Sequence, residues 1–444
     1  MNKARSRVSR RFFITTTSAA GIGLTGTLFS NGVEAQNGTD RPGGSPPVPS
    51  FADIPLPIRA LKPMTAGIVS ITDTERLQRI EKAQRLMREQ RIGAVLLEGG
   101  SSLFYFTGVR WGVSERPFVA IIPANGALAW VCPAFEEARA RELIRFGTDV
   151  RTWEEDESPY QRIAEVLHDR GVTAGRVGIE ERLRFFIFDG IRHQAPGLEF
   201  VSADPVSAGC RMFKSRAELA IMQRANEITL AAYKATLSTL REGMTLQEFR
   251  RNLFAAYNAL GAPDASALVS FGRYTAYPHG STAPQQLREG DVVLVDDGCS
   301  IEGYQSDVTR TVVFGKPTAH QLEVWNLEQR AQAAAFSAAK PGVTCEAVDA
   351  AARKVITDAG YGPGYKVPGL PHRTGHGIGL DGHEWTYLVR GNKTQLQPGM
   401  CFSDEPTISN YAEFGVRLED CFHVTEDGAK FFTEPSPSLE HPFG

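Results

Sequence analysis

The spacing of apolar residues predicts an α/β domain in the first half of the chain. From Thr74 to Arg91, apolar positions recur at helical spacing, which predicts an amphipathic helix. Short apolar runs then alternate with stretches of helical periodicity, a pattern typical of an α/β domain, and we expect this domain to cover residues 71–210. Its expected strands are 94–97, 119–122 and 127–131, and its further helices are 135–145 and 160–170.

The second half, residues 211–444, contains an internal repeat. Gly243-Met244-Thr245 opens one helical stretch and Gly342-Val343-Thr344 opens another, and the two stretches end at Gly261 and Gly360. Threonine is a good N-cap and glycine a good C-cap, so two unrelated helices could share these positions. The equal spacing of the matched residues, and an alanine-rich helix before each, favour duplication. We therefore predict an α+β domain with pseudo-twofold symmetry and a cleft on the axis.

The first 70 residues are predicted to contain an export signal and a linker. Paired basic residues in Ser9-Arg10-Arg11-Phe12 precede an uncharged run through Val33 and a small-residue end at Ala35, which predicts a twin-arginine signal peptide over residues 1–35. An uncleaved membrane anchor is the alternative, although Thr and Gly make this run poorly apolar. Residues 36–70 are rich in Pro, Gly and Ser and predict an extended linker. We expect a periplasmic or secreted protein without a stable membrane anchor after cleavage.

Composition and charge narrow the possible partners. The 444 residues are 42% hydrophobic and 22% charged, which is ordinary for a globular protein of two domains. A net charge of −3 gives no indication of a nucleic-acid partner. The six cysteines include no CxxC pair, which excludes a zinc ribbon or a thioredoxin-type site. We expect buried free thiols, while disulfides remain possible in an exported protein.

Acidic residues end a buried-strand pattern between the two repeats. The apolar run 292–295 leads into Asp296 and Asp297, and Asp307 begins a second run after a turn at Glu302-Gly303. A hairpin would bring Asp296 and Asp307 together, whereas strand alternation points Asp297 to the opposite face. Carboxylates beside buried apolar residues are costly unless they are paired or bind metal. Taken alone, the pattern is also compatible with a simple turn.

Three later segments add one histidine and two glutamates. His376 lies in a glycine-rich run, which could also be an ordinary turn, and Glu405 and Glu419 lie among apolar residues of predicted antiparallel strands. One histidine with four carboxylates is an oxygen-rich set that suits two divalent metal ions rather than a thiolate site.

These motifs resemble those of the pita-bread metallopeptidases, the family of prolidase, aminopeptidase P, methionine aminopeptidase and creatinase. The resemblance covers about residues 75–430, because the first domain is similar to the creatinase-type N-terminal domain. It implies a pita-bread catalytic domain that hydrolyses Xaa-Pro bonds in small peptides, as a prolidase or an aminopeptidase P. It also implies a homodimer and two divalent metal ions, with Mn²⁺ first and Co, Zn or Fe also possible. The family's five metal ligands match, in chain order, Asp296, Asp307, His376, Glu405 and Glu419.

The resemblance assigns roles within this set. Asp307 and Glu419 would bridge the two metal ions, Asp296 would complete one side, and His376 with Glu405 the other. Glu405 would also be catalytic, because it would carry a proton from the attacking water towards the leaving nitrogen.

Four further residues match family positions near the substrate. His279 and His383 are implied as catalytic and substrate-binding residues and His372 as a substrate-binding residue, although each could be an ordinary structural histidine. Arg417 resembles an arginine that orients the site or meets a substrate carboxylate, and a salt bridge to a ligand carboxylate fits equally well. Ser409 departs from the family, which often has a tyrosine shortly after this Glu-Pro motif, and this departure leaves the substrate preference open.

Two other functions are compatible with this scaffold. A metal-dependent lyase of the dimethylsulfoniopropionate-cleaving type would keep the five ligands. Creatinase-type hydrolysis dispenses with the metal ligands, so the intact set argues against it. A non-catalytic binding module would typically lose the ligands too, so the intact set also favours an enzyme.

Overall fold

The structure is a computed structural model that describes residues 54–443. The predicted signal peptide, residues 1–35, lies outside the described residues, as does the predicted linker before residue 54. Within residues 54–443, no helix is both long enough and apolar enough to cross a membrane. The described chain begins with a short helix, α1 (Leu56–Arg59).

The end of the predicted linker is folded rather than extended. Pro55 precedes α1, where its fixed φ and missing N–H suit the start of a helix. Ile58 on this helix is 1% exposed and joins the main hydrophobic core. Farther along, the amide of Met64 donates to the carbonyl of Leu260, 2.9 Å away. The prediction of an extended linker up to residue 70 is therefore wrong here, because one buried isoleucine and this hydrogen bond attach the segment to the second domain.

The first domain is a six-stranded mixed sheet with helices, which agrees with the predicted α/β class. The sheet order is β4-β3-β2-β1-β5-β6, in which β1 runs antiparallel to β2 and parallel to β5. The helix predicted for residues 135–145 is shorter, because a 3₁₀ turn occupies Ala134–Glu136 and the α-helix ends at Leu143. The elements are α2 (Asp73–Gln90), β1 (Ile92–Leu97), α3 (Ser101–Thr107), β2 (Val119–Pro123), β3 (Ala129–Pro133), α4 (Glu137–Leu143), β4 (Asp149–Trp153), α5 (Pro159–Asp169), β5 (Gly175–Ile179), α6 (Phe185–Gln194), β6 (Leu198–Ser202) and α7 (Ser207–Arg211).

The second domain contains two halves, each with a helix pair followed by strands. The first half comprises α8 (Arg216–Leu237), α9 (Leu246–Leu260), β7 (Leu268–Phe271), β8 (Val292–Asp297), β9 (Ser300–Ile301), β10 (Tyr304–Gln305) and β11 (Val308–Val313). The second half comprises α10 (Ala319–Ala338), α11 (Cys345–Asp358), β12 (Gly375–Gly377), β13 (Glu384–Leu388), β14 (Cys401–Asp404), β15 (Thr407–Ser409), β16 (Gly415–Arg417), β17 (Asp420–Val424) and β18 (Ala429–Phe431).

The predicted duplication is present in the backbone pairing. The amide of Gly243 donates to Leu287 O, and the amide of Gly342 donates to Leu396 O, each at 2.8 Å. In each half, the turn before the second helix is thus hydrogen-bonded to the segment just before the first strand of the hairpin that carries the acidic residues. In the first half that strand is β8, which pairs antiparallel with β11, and in the second half it is β14, which pairs antiparallel with β17.

The helix caps agree only partly with the predicted repeat. Thr245 caps α9 by accepting the amide of Glu248 at 3.2 Å, whereas Thr344 is the N-cap of α11 without a side-chain cap bond. Gly261 is the left-handed C-cap of α9. Gly360 is also left-handed, but it lies one residue beyond the C-cap of α11. The two halves therefore share their topology more closely than the details of their helix ends.

Two hydrophobic cores flank the strands that carry the acidic residues. One core includes Phe106 of the first domain, Tyr233 and Val295, so it continues across the domain boundary. The other includes Trp325 and Phe402, beneath α10 and α11. All six cysteines are buried free thiols, as expected from their scattered positions.

Candidate active site

The four predicted acidic ligands lie at corresponding ends of two hairpins. Asp296 lies near the end of β8, directly opposite Thr309 of β11, and Asp307 immediately precedes β11. Glu405 immediately follows β14 and Glu419 immediately precedes β17. Each half of the duplicated domain therefore contributes two carboxylates. The hairpins meet where Thr309 and Glu419 exchange backbone hydrogen bonds of 3.2 Å.

The structure brings all five predicted ligands into overlapping groups. In each group, one possible ligand atom per residue lies within 4.8 Å of the others. Asp307, His376 and Glu419 each belong to two groups, and of these three residues only the two carboxylates have two oxygens with which to bridge two ions. The groups are Asp296 with Asp307 and Glu419, His376 with Glu405 and Glu419, and Asp307 with His376 and His383.

The orientation of His376 fits a metal ligand. Its Nδ1 lies 3.1 Å from the carbonyl oxygen of Gly377 and must therefore carry the proton to make a hydrogen bond. Its Nε2 lies 3.2 Å from Glu405 Oε1 and 3.6 Å from Asp307 Oδ2. Burial, followed by the charge of His383, lowers the pKa of His376 to about 3, so the ring is neutral. A bare Nε2 facing carboxylates needs a cation between them, and a backbone acceptor on the other nitrogen is usual for metal-binding histidines.

The protein does not supply enough positive charge to balance the clustered carboxylates of the predicted ligands. Burial and then the charge of Asp296 raise the pKa of Asp307 well above its ordinary value, and burial and then Asp307 do the same for Glu419. Burial raises the pKa of Glu405 to about 7. Within residues 54–443, no group forms a hydrogen bond with buried Glu419 Oε1. A buried carboxylate oxygen without a partner is costly, and divalent cations would satisfy it.

Arg417 is fully engaged inside the protein. Its Nη2 forms a salt bridge with Asp296 Oδ2, its Nε donates to Thr309 Oγ1 at 3.2 Å, and its Nη1 donates to Pro278 O at 3.2 Å. The side chain is only 3% exposed. Of the three possibilities for Arg417, the structure therefore contains the salt bridge to a predicted ligand, which also orients Asp296.

The supporting contacts around the ligands were missed by the sequence analysis. Thr309 Oγ1 donates to Glu419 Oε2 at 2.6 Å, and Ser403 Oγ donates to Glu405 Oε1 at 3.3 Å. Arg310 is fully buried and donates to the carbonyl of Glu419 at 3.0 Å. These contacts fix the side chains of Glu419 and Glu405 and the backbone at Glu419. Apart from their closeness in sequence to the ligands, no signal in the sequence identifies them.

The three predicted substrate histidines have different surroundings. The His383 ring stacks on His376 with 3.6 Å between centroids, and its residue is exposed, so it faces both the predicted metal site and solvent. His279 is exposed and close enough for its charge to contribute to the lowered pKa of His383, which burial and Arg373 mainly cause. His372 Nδ1 lies 2.7 Å from Arg373 O, and its Nε2 lies 3.0 Å from Thr407 Oγ1. His372 would therefore form a hydrogen bond with a substrate only if its Nε2 gave up its hydrogen bond with the Thr407 hydroxyl.

Arg373 is a site residue that the sequence analysis did not select. Its guanidinium lies 4.2 Å from the centre of the Tyr387 ring, and its charge helps to lower the pKa values of His376 and His383. Within residues 54–443, it forms no salt bridge. The only feature of the sequence that could have identified Arg373 is its position between His372 and His376 in the glycine-rich motif.

Asp297, which was excluded from the predicted ligands, and Ser409, which departs from the family pattern, do not belong to the ligand groups. Asp297 Oδ1 accepts the amide of Gly298 at 2.6 Å and the hydroxyl of Ser266, consistent with the opposite face of β8. Ser409 is fully buried and pairs with the backbone of Gly369. A longer side chain at position 409 would have to displace this packing.

Comparisons with known proteins cover both domains. The model of metallopeptidase family M24 matches residues 220–426, and the model of the creatinase/prolidase N-terminal domain matches residues 79–213. An uncharacterized peptidase of Schizosaccharomyces pombe is 37% identical over 394 residues, which cover 84% of this chain and 83% of that protein. The Xaa-Pro dipeptidase of Lactobacillus delbrueckii subsp. lactis is 33% identical over 371 residues, covering 81% and 98% of the two chains. The crystal structure of dipeptidase PepE from Mycobacterium ulcerans matches with a TM-score of 0.78 and 32% identity, covering 84% and 99%. The predicted creatinase-type N-terminal domain and pita-bread catalytic domain are thus confirmed.

Proposed function

The chain belongs to metallopeptidase family M24, and from that premise we propose that it is a two-metal hydrolase of Xaa-Pro dipeptides. The observation that carries this proposal is the neutral His376, whose Nε2 faces Glu405 and Asp307 at distances that leave room for a cation. A catalytic site with five intact donors favours an enzyme over a binding module.

The donors divide naturally into two metal positions. We assign Asp296, Asp307 and Glu419 to one ion and His376, Glu405 and Glu419 to the other, with Asp307 completing the bridge. When bound, two divalent ions supply Lewis-acid polarisation of the scissile carbonyl and acidify a water molecule. The oxygen-rich set suits Mn²⁺, which we propose as the native metal, although Co, Zn or Fe would also fit these ligand types.

The chain's own residues would then move the proton and hold the substrate. Glu405 accepts a proton from the attacking water and delivers it to the proline nitrogen as the C–N bond breaks. His383 faces solvent beside the predicted metal site, and His279 is exposed and close enough to His383 for their charges to interact, so both can donate to the carbonyl oxygen as negative charge develops on it. Glu405, His383 and His279 are thus the catalytic residues of this proposal.

The two arginines favour a dipeptidase over an aminopeptidase. A dipeptide places its C-terminal carboxylate directly after proline, so a nearby free cation would recognise it. Arg417 has its donors occupied by Asp296, Thr309 and Pro278. Arg373 remains, with a guanidinium that stacks on Tyr387 and influences the pKa values of the site histidines. We therefore assign the substrate carboxylate to Arg373.

Export and assembly complete the proposal. The paired arginines Arg10 and Arg11 support export of the folded protein to the periplasm or beyond, where it would act on small peptides. A homodimer is proposed from the family resemblance alone.

A substrate panel on metal-loaded protein tests this function. Release of proline from Ala-Pro and Gly-Pro should be rapid, while Ala-Pro-amide and Ala-Pro-Ala should be poor substrates because they lack the adjacent carboxylate. Arg373→Met should reduce the preference for Ala-Pro over Ala-Pro-amide. Absence of proline release with Mn²⁺, Co²⁺, Zn²⁺ or Fe²⁺, together with cleavage of dimethylsulfoniopropionate, would support the lyase instead.

A further inference from the structure

The loop that carries His383 is attached to the first domain by charged hydrogen bonds. Asp381, two residues before His383, accepts three donors through its carboxylate. Ser101 Oγ donates at 2.6 Å and Arg182 Nη2 at 2.7 Å, both from the first domain, and Arg211 Nη2 donates at 2.6 Å from α7. The loop is therefore held from outside the catalytic domain.

A second carboxylate holds the other end of the loop. Glu384, the residue after His383, is 5% exposed and accepts Arg211 Nη2 at 2.6 Å and Lys214 Nζ at 2.5 Å. Arg211 thus bridges Asp381 and Glu384, which flank His383 on both sides. We call Ser101, Arg182, Arg211, Lys214, Asp381 and Glu384 the anchor network.

The backbone of the same loop is closely packed. The amide of Gln305 in β10 donates to Gly379 O at 2.8 Å. A Cβ atom added to Gly379 would lie 2.5 Å from Glu384 Oε1 and 2.8 Å from Lys214 Cε. The loop therefore has little space to move while the anchor network is intact.

Three members of the anchor network, Arg211, Lys214 and Glu384, are buried, and their burial requires well-defined hydrogen-bond geometry. Arg211 is 5% exposed, and desolvation of such charges is repaid only when their hydrogen bonds are well formed. Breaking one bond leaves a buried charge without its partner, so the loop would rearrange to regain water or another donor. His383 would move with it and lose its stacked position on His376.

We propose that Arg211 is a positioning residue that holds His383 over the active site. This inference rests on the proposed peptidase function and on the catalytic assignment of His383. Because His383 is assigned to charge that develops during the reaction, loss of its position should lower kcat more than it raises KM.

The test combines Arg211→Met with His383→Ala in a double-mutant cycle, using Mn²⁺-loaded protein and Ala-Pro. Arg211→Met should lower kcat up to about 100-fold, because a displacement of a catalytic group by about 1 Å can cost that much. In the His383→Ala background, the same change should have almost no further effect. Ser101→Ala removes one hydrogen bond to Asp381 and should lower kcat less, with the same dependence on His383.

Arg79→Met is the matched control. Arg79 is 6% exposed and also crosses the domain boundary, from α2 to Glu218 in α8, at 3.4 Å. It contacts Glu75 at 2.9 Å and Tyr304 at 3.2 Å. Arg79→Met should lower the free energy of unfolding as Arg211→Met does, while kcat per folded molecule stays unchanged.

The outcomes separate this inference from the proposed function. If His383→Ala lowers kcat but Arg211→Met and Ser101→Ala do not, the positioning role is refuted and the peptidase stands. If the effects of Arg211→Met and His383→Ala multiply, Arg211 acts independently of His383 and the inference is also refuted. If the wild-type protein releases no proline, the proposed function itself fails. Should Arg211→Met fail to fold, Ser101→Ala decides between these outcomes.

Discussion

In metal-stripped protein, the ionised side chain of Glu405 should destabilise the folded state at neutral and higher pH. The substitution Glu405→Gln should remove this destabilisation. Burial raises the pKa of Glu405 from 4.5 to about 7. The folded state therefore binds this proton more tightly than the unfolded state. Stability from the bound proton is fully present below pH 4.5 and is lost as the pH rises through about 7. At about 1.4 kcal/mol per pKa unit, the loss amounts to about 3 kcal/mol.

Urea unfolding of metal-stripped protein between pH 5 and pH 8 measures this effect. The wild-type free energy of unfolding should fall with rising pH, and that of Glu405→Gln should fall by about 2–3 kcal/mol less over this interval, because glutamine carries no charge to desolvate. At pH 8 the variant should be the more stable protein. Saturating Mn²⁺ should reverse the order, since a carboxylate binds the ion better than an amide does and ligand binding stabilises the folded state.

The control is Glu323→Gln, which neutralises a glutamate whose side chain is 79% exposed and should change stability little at any pH. The reasoning is refuted if metal-stripped Glu405→Gln is no more stable than the wild type at pH 8. It is also refuted if the difference between the two proteins is the same at pH 5 and at pH 8.

Three further predictions concern the same site. Asp307→Asn should reduce bound metal to one ion or fewer per chain, measured by plasma mass spectrometry, and abolish Ala-Pro hydrolysis; two retained ions would contradict its bridging role. Arg417→Met leaves Asp296 without its buried partner and should lower the unfolding free energy of metal-stripped protein by about 3–5 kcal/mol. An equal loss in metal-loaded protein would count against this explanation, because bound cations should compensate. Metal binding should release more protons at pH 6 than at pH 8, because burial raises the pKa of Glu405 to about 7, between these two pH values. Calorimetry in buffers of different ionisation enthalpy measures that release, and no pH dependence would argue against it.

The hairpin carrying Asp296 and Asp307 was predictable because its signals are local. A continuous apolar run forms β8, and the predicted turn at Glu302-Gly303 has positive φ values at both residues, of which Gly303 adopts its 91° without strain. The pairing of Asp296 with Thr309 then follows from the register. Helix α10 was predictable only in part: its alanine-rich end was recognised, whereas its start at Ala319 depends on a capping box formed by Thr318 and Gln321.

The contacts that orient the site were not predictable from one sequence. Arg417 and Asp296 lie in different halves of the domain, and no local periodicity indicates their salt bridge. The bond between Arg211 and Glu384 joins α7 to the start of β13 and depends on how the domains pack. For the same reason Ile58 was assigned to a linker, since its burial is decided by distant partners.

The most direct test of the central claim is a titration of Mn²⁺ into metal-stripped protein while proline release from Ala-Pro is followed. Because two donor groups share Glu419, activity should rise with added metal and reach its plateau at two ions per chain. A plateau at one ion per chain would contradict the two-metal assignment, and no proline release at any metal content would contradict the proposed peptidase.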